Sequence, residues 1–82
     1  MIIDVSEIRS VRELHACLKR ELDLPDYYGN NLDALYDVLT ERGQIRKVTL
    51  CGFEMLRRNI GGYADLLTGV LEDAGIEVEN MG

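Results

Sequence analysis

Three short strand patterns, separated by pairs of helical patterns, leave this chain few folds to choose from. Ile2-Ile3-Asp4-Val5 opens the chain as a strand, Lys47-Val48-Thr49-Leu50-Cys51 forms a second, and Ile76-Glu77-Val78-Glu79 a third. Two helical stretches lie between the first and second strands, and two more between the second and third. Strands joined by helical crossovers pair in parallel, and such crossovers are right-handed. The order β-α-α-β-α-α-β therefore predicts an α/β fold. Its small three-stranded parallel sheet is packed with about four helices, in a single domain over residues 1–82.

The helical stretches carry their own start and stop signals. Ser10-Val11-Arg12-Glu13 reads as a capping box, in which the Ser10 hydroxyl and the Glu13 carboxylate each satisfy an amide of the other. Val11, Leu14, Leu18 and Leu22 then recur at helical spacing. Pro25 ends that helix by Leu24, because proline disfavours helical geometry at the residue before it. His15 falls at the edge of the apolar stripe and is expected to be half-buried and bonded to backbone.

A second helix starts from an N-cap at Asn30 or Asn31. It turns Leu32, Leu35, Val38 and Leu39 to one side, and Asp33, Asp37 and Glu41 to the other. Phe53, Leu56 and Ile60 mark a short third helix, with Arg57 and Arg58 outward and Gly61-Gly62 as a breaker. Tyr63, Leu66, Leu67, Val70, Leu71 and Ala74 give a fourth, closed by Gly75. The second strand is apolar at nearly every residue, the pattern of a strand covered on both faces. Strict alternation in the last strand leaves it one wet face.

At 82 residues the chain is near the lower limit for folding without staples, and its hydrophobic fraction of 46% argues for a packed core over disorder. No apolar run approaches a membrane span, and Met1-Ile2-Ile3-Asp4 lacks the basic and apolar regions of a signal peptide. The expected location is cytoplasmic. Cys17 and Cys51 lie in a helical and a strand pattern and are expected to be reduced core thiols. One histidine and two distant cysteines do not make a zinc site, so no metal or cofactor is expected. The formal net charge of −6 repels a phosphate backbone, which argues against direct nucleic-acid binding. Such acidity serves solubility or meets a basic partner.

The segment from Pro25 to Asp37 departs from this ordinary pattern. It holds the only proline, three of the four tyrosines, and Asp26, Asp33 and Asp37, all at a turn entering a helix. Like charges four residues apart cost a helix a few tenths of a kcal/mol per pair. Asp33 is relieved by the helix dipole, but Asp37 and Glu41 are not. The pattern therefore reads as a presented surface. Catalysis is not expected of it: no phosphate-cradling loop, nucleophile elbow, zinc-protease or calcium-loop pattern occurs. The pair Asp33 and Asp37 on one exposed helix face has neither the cleft nor the difference in environment that two-carboxylate hydrolysis requires. The protein is expected not to be an enzyme.

Leu24-Pro25-Asp26-Tyr27-Tyr28-Gly29-Asn30-Asn31-Leu32-Asp33-Ala34-Leu35-Tyr36-Asp37 resembles the signature segment of the barstar family, bacterial inhibitors of barnase-type ribonucleases. The similarity extends without gaps from about Ile8 to Thr40. It implies an intracellular immunity protein that blocks a nuclease active site with an acidic helix and loop mimicking RNA phosphates. The expected complex is one-to-one, with a free protein that is monomeric.

By motif position, Asp37 matches the family carboxylate that enters the nuclease phosphate site, and Asp33 one that pairs with an active-site arginine. Tyr27 matches the aromatic that packs on the catalytic histidine, while Gly29, Asn31 and Leu32 match contacts made partly through backbone. Tyr36 stands where barstar has tryptophan. The connector Glu41-Arg42-Gly43-Gln44-Ile45-Arg46 replaces an aromatic and a proline, and brings a cation near the presumed contact face. The alternative is a barstar-fold binding module for a different basic protein.

Overall fold

Strand register decides how this sheet is covered. The computed structural model describes residues 1–82, in the order β1 (Ile2–Asp4), α1 (Val11–Glu21), α2 (Leu32–Arg42), β2 (Lys47–Cys51), α3 (Phe53–Ile60), α4 (Tyr63–Asp73) and β3 (Glu77–Met81). The strands are parallel and lie in the order β1-β2-β3, as the crossovers require. Ile3 is registered with Leu50, and Val48 with Val78, so these side chains share one face. Ile3, Val48 and Leu50 are buried there with Leu14 and Leu18 of α1, Leu35 and Leu39 of α2, Leu56 of α3, and Leu67 and Leu71 of α4.

The other face carries Ile2, Thr49 and Glu79 in one row and Asp4, Cys51 and Met81 in the next. It is open: Ile2 is 72% and Met81 50% exposed, and Asp4 and Glu79 are exposed. The sequence pattern of β2 predicts cover on both faces, and the structure corrects this. Thr49 is buried on the open face because β2 is the central strand and its neighbours on both sides shade it. The apolar run reflects central position in the sheet. Both cysteines are free thiols, with Cys17 buried and Cys51 half-buried.

Local signals explain where the elements begin. The Ser10 side chain accepts from the Glu13 amide at 3.1 Å, as a capping box requires. The Glu13 carboxylate, however, accepts from the Arg9 amide at 3.1 Å and not from Ser10, so the reciprocal half of the box is displaced by one residue. Gly52 joins β2 to α3 at φ 77°, and an added Cβ would lie 2.4 Å from the Ser6 Cβ. Only glycine fits that crossing. At the exit of β1, Asp4 accepts from the Ser6 amide and hydroxyl at 2.9 and 2.7 Å, bonds that hold its carboxyl below the ordinary value.

Candidate functional site

α2 is aimed by its N-cap. Asn31 is extended at φ −144°, and its Oδ1 accepts from the Ala34 amide at 2.8 Å. The same side chain donates through Nδ2 to the Gly29 carbonyl at 3.1 Å, which folds the preceding loop onto the first turn of the helix. Gly29 suits that closeness: an added Cβ would stand 3.3 Å from both the Ala34 Cβ and Asn31 Nδ2, and these would have to give by a few tenths of an ångström. Asn30 takes φ 55°, a left-handed geometry asparagine tolerates. Of the two possible caps, Asn31 is the cap and Asn30 the turn.

The helix then sorts its side chains by face. Leu35, Val38 and Leu39 are buried, and Leu32 is half-buried against the core. Asp33, Asp37 and Glu41 are exposed along the other side, with Tyr36 at 41%. The ion pairs of the chain lie elsewhere, in Lys19–Asp26, Arg20–Glu21, Lys47–Glu77, and Arg57 with Glu54 and Asp65. The three carboxylates of α2 are therefore free of internal cations.

Arg42, one residue further on, donates to the Asp23 carbonyl at 2.6 Å. Of the two connector cations, Arg42 is thus tied back to the turn after α1. Tyr27, at 77% exposed, stands beside this face. Tyr27, Gly29, Asp37 and Glu41 surround a shallow hollow of about 220 Å³ above Tyr28, Ala34 and Val38.

The structure thus brings Tyr27, Gly29, Asp37 and, beyond the residues implied by the resemblance, Glu41 around one concavity. Asn31, Leu32 and Asp33 lie around a second open hollow with Tyr63 at the start of α4. Tyr36 is exposed on the same helix. Asn31 spends its side-chain oxygen and one amide proton inside the chain, so it holds the loop in place more than it presents polar groups outward.

Beneath this surface is a polar contact between rings that spacing along the chain could not reveal. His15 is 1% exposed, and the expectation of a half-buried ring bonded to backbone is corrected. Its Nδ1 lies 2.6 Å from the Tyr28 hydroxyl and its Nε2 2.7 Å from the Tyr63 hydroxyl. Tyr28 Oη is also 3.5 Å from the Asn31 carbonyl. We assign the tautomer from the Tyr28 contact to Asn31: Tyr28 donates to that carbonyl, Nδ1–H donates to Tyr28, and Tyr63 donates to Nε2. Burial away from water holds His15 below its ordinary 6.5 and pushes both tyrosines up. The only sequence hint was an apolar helix carrying a histidine, with tyrosines 13 and 48 residues away.

Comparison with known proteins shows the family of the chain. The profile of the family described as "Barstar (barnase inhibitor)" matches residues 1–82. The chain belongs to the barstar family. It is also 40% identical over 81 residues to a Bacillus subtilis (strain 168) protein named "Putative ribonuclease inhibitor YrdF", covering 98% of this chain and 89% of that one. Family membership extends over the whole barstar-like chain, including the half beyond Thr40 where only element order and apolar pattern resemble the family. No helix is long and apolar enough to cross a membrane.

Proposed function

We propose that this barstar-family chain is an intracellular immunity protein that inhibits a barnase-type ribonuclease by filling its active site. Asp33 and Asp37 stand in for RNA phosphates, Tyr27 packs against the catalytic histidine, and Gly29, Asn31, Leu32 and Tyr36 complete the contact. The complex is one-to-one and the chain performs no chemistry. The observation that carries this reading is the row of exposed carboxylates on α2, free of internal cations and fixed by a helix whose other side is in the core.

A nuclease site is a basic concavity built for phosphates, so a rigid acidic helix meets it with little reorganisation. Charge steers the encounter, and desolvated pairs hold it. Removing one partner of such a pair leaves the other buried and unpaired, which makes the cost large. Asp37→Ala is expected to weaken the complex by several kcal/mol, the scale of charged hot spots, for which the barnase–barstar complex is itself the reference case. Its fold should stay intact, because Asp37 is exposed. Calorimetric titration of a barnase-type ribonuclease with wild type and variant measures this, and an unchanged affinity would exclude the proposed mode.

A further inference from the structure

His15 is the chain's one histidine; its ring is buried, and it bears on the loop through a single residue. Tyr28 lies between the exposed Tyr27 and Gly29, and its hydroxyl bonds the ring from below. Tyr63 holds the other ring nitrogen from the first turn of α4. Three segments distant in sequence, α1, the loop before α2 and α4, thus meet at one imidazole.

The titratable groups facing that imidazole are the two tyrosines. No carboxylate or cation bonds to it; Asp33 shares an open hollow with Tyr63 but is itself exposed. A proton arriving at Nε2 makes both ring nitrogens donors. Tyr63 must then turn its own hydroxyl proton away to water, and a full charge sits where nothing opposes it.

We propose that His15 and Tyr63 are positioning residues for the loop around Tyr28, and that protonation of His15 releases the loop and with it the partner-binding surface. The acid-labile element is the loop from Tyr27 to Asn31, whose inner anchor is the Tyr28 hydroxyl. With the loop open, His15 reaches water and takes up its proton at the ordinary histidine value, so proton uptake and opening favour each other. That the released surface is one that holds a ribonuclease rests on the function proposed above. The opening itself does not.

Hydrogen exchange of the free full-length protein tests this without a partner. The opening constant at the Tyr28 and Ala34 amides, bonded to the Pro25 carbonyl and the Asn31 side chain, is measured from pH 7.5 to 4.5 and corrected for the intrinsic pH dependence of exchange. It is expected to rise by up to about tenfold per pH unit below 6.5, one proton being taken up per opening. Tyr63→Phe removes the donor that favours the neutral ring, so the rise should still begin near 6.5 but level off at a higher pH and be smaller. His15→Gln should abolish the pH dependence, whatever its effect on overall stability.

Opening that is independent of pH in the wild type would overturn the proposal. So would a pH slope that persists in His15→Gln, or a rise whose size and plateau Tyr63→Phe leaves unchanged. Dissociation of a barnase-type ribonuclease from wild type and His15→Gln, compared at pH 7 and 5, supplies the functional arm. Loss of loop protection without faster release would overturn the link to the partner surface while leaving the latch. Failure to bind at pH 7 would count instead against the function proposed above.

Discussion

Tyr27 and Tyr28 are adjacent and chemically identical, yet the first is 77% exposed and the second 5%. The difference lies in what each ring can reach. Tyr28 finds a hydrogen-bond partner in the His15 ring, which makes burial of its hydroxyl tolerable, and Tyr27 has none inside the chain. Removing the Tyr28 hydroxyl therefore strands a buried imidazole nitrogen. Tyr28→Phe should destabilise the fold by about 1–3 kcal/mol in urea unfolding at pH 7, although Tyr→Phe at an exposed site is close to neutral.

His15 adds a pH dependence whose sign follows from its burial. The folded protein holds the ring below 6.5, so the unfolded chain binds more protons as the solution becomes acidic. The stability that neutral His15 contributes is complete above 6.5 and declines as pH falls through the lowered folded value. Urea midpoints should drop over this range in wild type and lose that part of the drop in His15→Gln.

At the scale of elements, α2 is the unit that presents the surface, and its orientation depends on both ends. Asn31 caps it and clasps the loop, while Arg42 ties the other end to the Asp23 carbonyl. Asn31→Ala should cost about 1 kcal/mol of stability as a lost N-cap. It should also slow loop closure, so that ribonuclease affinity falls by more than stability does; equal losses would mean that the cap alone matters.

The helices, their order and the wet face of α2 could be read from periodicity, because Leu32, Leu35, Val38 and Leu39 repeat at helical spacing with Asp33 and Asp37 between them. Three things could not. The sheet has one open face, and the apolar run of β2 concealed this because a central strand is shaded whether or not helices cover it. The His15 contacts join residues up to 48 positions apart, a separation that no local pattern encodes. The direction of Arg42 was equally hidden: sequence places it near the acidic face, and only the structure turns it toward Asp23.

At the scale of the molecule, a net charge of −6 acts as a field as well as a set of contacts. Approach to a basic nuclease should be steered. The association rate is expected to fall by about tenfold or more between low salt and 0.5 M, where the screening length is shorter than the protein is wide. Stopped-flow mixing measures this, and a flat response would argue against steering. Dissociation should change much less, since pairs desolvated in the interface are screened weakly.

The most direct test of the central claim is a titration of RNA cleavage by a barnase-type ribonuclease at fixed enzyme concentration. Activity should fall linearly with added protein and reach zero at one equivalent, with Asp37→Ala needing a large excess to do the same. Cleavage undiminished at several equivalents of correctly folded protein would contradict it.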